Sequence, residues 1–151
     1  ETDYIDGKFS VKDFGAITTD KDTPFPKRLC EIYEDYCQIL DSWKPDALSI
    51  ERLYFTNNQK TGIDVAQARG IIIMAAAQRG IEINEYTPLQ VKQAVVGYGQ
   101  AVKKQVQEMT KNILKLSCVP KPDDTADALA MTICHAQTSG SLLRNIKASN
   151  I

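Results

Sequence analysis

The chain has few of the side chains that nucleophilic and zinc enzymes depend on. It contains one histidine, His135, and four cysteines, Cys30, Cys37, Cys118 and Cys134, with no Cys-x-x-Cys pair among them. A Ser-His-Asp constellation would have to be built around that single histidine, and a tetrahedral zinc site lacks its usual ligand spacing. His135 reads instead as a satisfied core or surface histidine. The cysteines read as reduced core residues, Cys30 and Cys37 sharing one face of a helical segment.

Two further absences bear on where the chain works. No apolar run approaches the roughly 18–20 residues that a membrane span needs, and the N-terminal residues lack the basic-then-apolar layout of a signal peptide. A cytoplasmic location is therefore expected, with no membrane partner. Nor is there an excess of one charge sign: 18 Lys and Arg stand against 19 Asp and Glu, a net charge of −1. A uniformly basic coat for nucleic acid is excluded, but the charge is unevenly placed. Lys92, Lys103, Lys104, Lys111 and Lys115 fall in a stretch whose only acid is Glu108, and local potential rather than total charge steers a polyanion. A solvated helix face would carry the same pattern.

What is present suits one globular domain. At 151 residues, 43% hydrophobic and 25% charged, the chain can bury a single core, expected over residues 1–140, with a flexible tail over 141–151. It does not begin with methionine. Residues 1–5 read as the tail of a hairpin strand whose earlier part is absent, followed by an Asp6-Gly7 turn and a strand over 8–18. Pro24 and Pro26 open a helix with its apolar stripe on Leu29, Tyr33, Tyr36, Leu40 and Trp43, ending at Lys44-Pro45. A short strand over 46–51 precedes a helix over 63–78 that is apolar nearly all round, so cover on two sides is expected, from the sheet and other helices or from a second subunit. A strand over 81–86 and helices over 87–96, 100–116 and 124–138 complete the pattern. Strands followed by strand–helix alternation predict an α/β sandwich with helices on both sheet faces.

Two acidic groups could carry chemistry. Glu51 closes the apolar strand Ala47-Leu48-Ser49-Ile50, where open α/β sheets present ligands outside the carboxyl ends of their strands. An exposed Glu paired with Arg52 is the plain alternative. Asp124 and Asp127 lie one turn apart on a helix face, with Asp123 before them in an N-cap position. Capping and the helix macrodipole explain one acid there, but three are more than a cap requires. Carboxylates from a strand end and a helix start suit a hard divalent cation beside a phosphate, which points to metal-dependent phosphodiester chemistry.

At these residues the sequence resembles the RuvC-type Holliday junction resolvases. The matching stretches are Ile50-Glu51-Arg52-Leu53-Tyr54-Phe55, Ala66-Gln67-Ala68-Arg69-Gly70, the run from Tyr86-Thr87-Pro88 through Val95-Val96-Gly97, and Asp124-Thr125-Ala126-Asp127-Ala128-Leu129-Ala130. The resemblance implies a ribonuclease H-like three-layer sandwich with a mixed central sheet, here lacking its first strand. It also implies an endodeoxyribonuclease of the bacterial cytoplasm, a homodimer that resolves four-way DNA junctions by paired symmetric nicks in recombination and repair. Mg²⁺ or Mn²⁺, two ions per active site, and a branch-migration helicase partner come with it. Carried over by residue, Glu51, Asp124 and Asp127 are catalytic metal-binding acids, Lys92 and Lys103 are DNA-contacting bases with Lys104 adjacent, and Tyr54 is the aromatic that stacks at the junction, a task Phe55 could share.

This chain departs from the family pattern in two places. The fourth acid belongs to a first-strand motif that Asp3, Asp6 and Asp13 do not match, so the full metal site is expected to need an Asp upstream of residue 1. Val102 stands where relatives usually carry a charged residue. A catalytically incomplete nucleic-acid-binding module of the same fold is the alternative that the missing acid leaves open, and an RNA-directed nuclease is a third.

Overall fold

The structure is a computed structural model that describes the backbone of residues 1–52 and 59–148 and the side chains of residues 1–52 and 62–139. Among the described residues the strands pair as two separate two-stranded sheets, and the packing divides the chain into two compact units.

One unit comprises Glu1–Gly15, Ser49–Glu51 and Glu85–Ile151. It opens with an antiparallel hairpin of β1 (Thr2–Ile5) and β2 (Lys8–Val11), in register from Ile5 opposite Lys8 to Thr2 opposite Val11. The Asp6-Gly7 loop has φ of 50° and 77°, the twin left-handed residues of a type I′ turn, whose twist matches that of the strands. Tyr4 and Phe9 stack across the pair with ring centroids 4.6 Å apart. β2 ends at Val11, well short of the strand expected over 8–18. At Asp13 the side chain takes over, its Oδ1 accepting the Phe14 amide at 2.8 Å, and a local side-chain bond of this kind competes with ladder pairing.

The core of this unit is helical. α3 (Pro88–Val96), α4 (Lys103–Ile113) and α5 (Asp123–Ala148) surround Val91, Val95, Val106, Leu129, Ala130 and Ile133. α3 begins where Thr87 and Gln90 form a reciprocal capping box, with bonds of 2.8 and 3.1 Å, and it ends at Gly97, whose φ of 92° closes the last turn. α5 lays a face of small residues against its neighbours: Ala126, Ala130 and Ile133 are at most 1% exposed. It runs to Ala148 rather than stopping near Thr138, so helix continues into the segment expected to be a loose tail.

The other unit comprises Ala16–Leu48 and Arg52–Asn84. α1 (Phe25–Trp43) stops where Lys44 turns left-handed (φ 49°) and returns its amide to the Leu40 carbonyl at 2.9 Å, with Pro45 next. Its Leu40, Tyr33, Tyr36 and Cys37 pack with Ala75 and Ala76 of α2 (Gln59–Gln78) and with Leu48 and Ile83. A forked ion pair, Arg79 Nε and Nη2 to the Asp41 carboxylate at 2.7 and 2.9 Å, fastens the two helices. α2 starts earlier than the 63–78 expected, and its all-round apolar face is covered unevenly, with Ala75 and Ala76 fully buried while Ile63, Val65 and Met74 stay exposed. β3 (Ala47–Glu51) pairs with β4 (Glu82–Tyr86), the Glu82 amide reaching the Asp46 carbonyl at 3.3 Å. The starts of both strands thus lie side by side, and both run the same way.

The expectation of four core cysteines needs correction. All four are free, but only Cys134 is buried. Cys37 is half-buried, while Cys30 and Cys118 are exposed, in the first turns of α1 and in the segment between α4 and α5, outside both packed clusters. Among the described residues no helix is long and apolar enough to cross a membrane.

Ile133 is the largest fully buried side chain. Truncating it to alanine removes three carbons from the packed interior and leaves a void, so Ile133→Ala is expected to lower unfolding free energy by about 2–5 kcal/mol. Urea denaturation measures this as a lower midpoint at unchanged slope; a loss below about 1 kcal/mol would show that the α3–α4–α5 core does not govern stability.

Candidate active site

β3 hands its last residue, Glu51, to the mouth of a cleft of about 200 Å³. The opposing walls come from α3, α4 and α5: Lys92 and Val91, Lys103 and Val106, and Asp127 with Ala130 and Met131. The placement follows from helix geometry. On α5 the residues on either side of Asp127 in the helical repeat, Leu129, Ala130 and Ala126, are buried, so Asp127 stands at the edge of the packed face. Val91 and Val106 anchor their helices in the core while the next residue of α3, Lys92, reaches the cleft rim. The apolar part of the cleft could be read from the sequence only as core-facing positions at helical spacing. Nothing local marked Val91, Val106 or Met131 as cleft walls.

Charge is paired across this cleft. The Lys103 ammonium lies 3.0 Å from Asp127 Oδ2 and 4.0 Å from Asp123 Oδ2, and Lys121 Nζ donates to Asp123 Oδ1 at 2.6 Å. Its hydrogen bond to Asp127 holds the Lys103 amine above the ordinary lysine range, and the Lys121 ammonium holds Asp123 below the usual carboxylate range. Glu51 moves the other way. Partial burial in the cleft, then repulsion from Asp127 and Asp124, pushes its carboxyl up against the pull of Lys103. Such crowding of acids favours a bound cation, which relieves the repulsion it meets.

The structure therefore brings Glu51, Asp127, Lys92 and Lys103 to one cleft. Asp124, in the first turn of α5, is exposed; its charge reaches Glu51 and Lys103, but it does not line the cleft wall. Asp123 is the first helical residue of α5 rather than a cap before it, and it pairs with lysines, a role the sequence did not suggest. Lys104 is exposed beside Lys103. Tyr54 and Phe55 lie outside the described residues. Val102 is 61% exposed, and its amide donates to Gln105 Oε1 at 3.0 Å just before α4.

Among the described residues no three acids, histidines or cysteines form a ready-made metal cluster. The donors that do face the cleft are carboxylate oxygens, with no imidazole or thiol, a set that suits oxygen-seeking Mg²⁺ or Mn²⁺ rather than zinc. A lysine ammonium already pairs with one of them. His135 takes no part: its Nδ1 is 2.8 Å from the Tyr86 hydroxyl, which satisfies it at the edge of the core. A larger depression of about 610 Å³ between α3 and α5 is lined by Leu89, Ala94, Cys134 and amide side chains and offers no carboxylate.

Because Glu51 is harder to ionise in the folded protein than its ordinary value of 4.5, its charge destabilises the metal-free fold. That penalty is absent below the ordinary carboxylate range, where Glu51 is protonated folded or unfolded. It grows as pH rises from that range through the raised folded value, and it is complete above it. Glu51→Gln is thus expected to raise the melting temperature of the metal-free protein at neutral pH and to leave it unchanged at pH 3. Scanning calorimetry with chelator at both pH values tests this, and a neutral-pH melting point at or below that of the unmodified protein would contradict it.

Comparison with known proteins places this geometry in context. The sequence profile of the family described as crossover junction endodeoxyribonuclease RuvC matches residues 4–135. The chain is similar to the protein of that name from Ruminiclostridium cellulolyticum, 52% identical over 144 residues, covering 94% of this chain and 87% of the relative. It is 53% identical over 135 residues to the one from Alkaliphilus metalliredigens, covering 89% and 82%. Among solved structures, Thermus thermophilus RuvC superposes with a TM-score of 0.78 at 32% identity, covering 85% of this chain and 78% of that one. The same protein in complex with a Holliday junction substrate superposes with a TM-score of 0.81 at the same identity and coverage.

Proposed function

The chain belongs to the RuvC family of crossover junction endodeoxyribonucleases, with a ribonuclease H-like α/β fold, and from that premise we propose that it resolves four-way DNA junctions by cutting phosphodiester bonds at the Glu51–Asp127 cleft. The observation that carries this reading is the meeting of an acid from the end of β3 and an acid from α5 with two lysines in one cleft. Acids alone would repel a phosphate, and lysines alone would bind it without reaction. A non-catalytic module is not favoured, since the relatives are named as endonucleases.

Glu51, Asp127 and Asp124 would hold Mg²⁺ or Mn²⁺, two ions per site in the arrangement that suits phosphodiester hydrolysis. Bound there, the metal supplies a water activated at neutral pH and neutralises charge on the leaving oxygen. The chain's own side chains do the rest. Lys92 and Lys103 neutralise the non-bridging phosphate oxygens, and Lys104 extends the basic strip along α4. Val91, Val106 and Met131 keep bulk water from the inner wall, which strengthens each charge interaction in the cleft. Tyr54 and Phe55 stack on bases opened at the junction, each worth about 1–3 kcal/mol.

Paired nicks on two strands require two such clefts related by symmetry, so the working form is a homodimer. The exposed apolar residues of α2, Ile63, Val65 and Met74, are its contact surface. Doubling the lysine strips on one face gives a near-neutral chain enough phosphate contacts to bind DNA. A branch-migration helicase is its partner, and the bacterial cytoplasm, where the chromosome lies, is its location.

Three measurements test the reading. In the intact gene product, Glu51→Gln is expected to cut a synthetic four-way junction at least about 100-fold more slowly in Mg²⁺ while binding it as tightly; undiminished cutting would remove Glu51 from the site, and equal cutting of linear duplex or RNA would point to another nuclease. Lys92→Met removes one phosphate contact from each subunit of the dimer and is expected to flatten the salt dependence of junction binding by about two units of log–log slope. Met74→Asp is expected to shift the protein from dimer to monomer in light scattering, and an unchanged mass would move the dimer surface off α2.

A further inference from the structure

We propose that Lys103 is a built-in counter-ion for the acid cleft, holding Asp127 until a divalent cation displaces it and thereby coupling metal binding to DNA binding. This rests on the cleft being a metal site, as set out above.

Four observations lead to it. The Lys103 ammonium pairs at 3.0 Å with Asp127, one of the carboxylates that would hold a metal ion in this cleft. A second acid stands ready nearby: Asp123 Oδ2 is 4.0 Å away, while the other oxygen of that carboxylate is occupied by Lys121 at 2.6 Å. An amine that leaves Asp127 therefore still has a carboxylate near it, but it loses its close hydrogen bond and becomes more accessible. The lysine side chain is 52% exposed and so is not wedged in place by packing. Finally, Lys103 is the first residue of α4, and the first turn of that helix contains no acid. A cation at the positive end of the helix macrodipole is disfavoured, so its position is explained by the acids of α5 rather than by α4.

A divalent ion at Asp127 and the ammonium already paired with it repel each other and compete for one negative charge, so each weakens the binding of the other. A DNA phosphate in the cleft offers the ammonium a new partner, frees Asp127 and so favours the metal. By linkage, metal favours DNA by the same factor. In this scheme the phosphate contact of Lys103 and its hold on Asp127 are two states of one side chain.

The test is Mn²⁺ binding to the DNA-free intact gene product by calorimetry. Lys103→Met is expected to bind Mn²⁺ at least about fivefold more tightly than the unmodified protein, and junction DNA, which tightens Mn²⁺ binding to the unmodified protein, should tighten it much less in the variant. Lys92→Met is the control for a general loss of positive charge, since Lys92 lines the same cleft. An equal gain in both variants, or none in Lys103→Met, overturns the counter-ion proposal while leaving the metal site intact; failure of the unmodified protein to bind Mn²⁺ at all overturns the metal site itself. Amine acetylation of the unmodified protein, read by mass spectrometry, needs no variant. Mn²⁺ should raise labelling at Lys103 several-fold and leave Lys121 unchanged, and a Lys103 signal indifferent to Mn²⁺ would also overturn the proposal.

Discussion

The packing of α5 against α3 and α4 is the constraint on which the rest of this unit depends. Ala126, Leu129, Ala130 and Ile133 form a face so closely covered that the helix has no freedom to rotate or retreat. Asp127 sits on the edge of that face. Its position is thus set by core packing, which no mutual repulsion among a few carboxylates can undo. Burying even one side chain of this size stabilises by roughly 1.5–3 kcal/mol, whereas partly exposed charges interact with energies nearer 0–1 kcal/mol. The core wins, and the acids remain close together.

That imbalance lets the packed core hold an electrostatically unfavourable site. Glu51 is pushed up by its neighbours and Lys103 is drawn against the dipole of its own helix, each an unfavourable local choice sustained by tertiary structure. In a binding site such tension is useful, because an incoming ion relieves the repulsion among the acids. It also reconciles a net charge of −1 with a polyanionic substrate. On the proposed reading, DNA would meet a cleft rimmed by Lys92 and Lys103 rather than the average of the surface.

Much of the secondary structure was legible from the chain itself. The Asp6-Gly7 turn and the Lys44-Pro45 end of α1 rest on backbone chemistry confined to a few residues, and each was found where local chemistry put it. Errors arose where a longer-range partner decided the outcome. β2 was read too long because aromatic and β-branched residues favour a strand whether or not another strand is there to pair with it. For α2, a composition apolar on all sides predicts cover on two sides but does not say which side meets a neighbour within the chain. Cys30 and Cys118 were assigned to the core on residue type alone.

The acids show the same division. Their existence, their spacing on α5 and the position of Glu51 at a strand end were matters of sequence, since helix and strand periodicity fix how near neighbours along a chain are presented. That Glu51 and Asp127 share a cleft, that Asp124 lies on its exposed side, and that Lys103 of α4 pairs with Asp127 were decided by the tertiary structure. Residues so distant along the chain meet only when apolar faces pack, and the packing depends on the shapes of all the faces together, which no single stretch of sequence encodes.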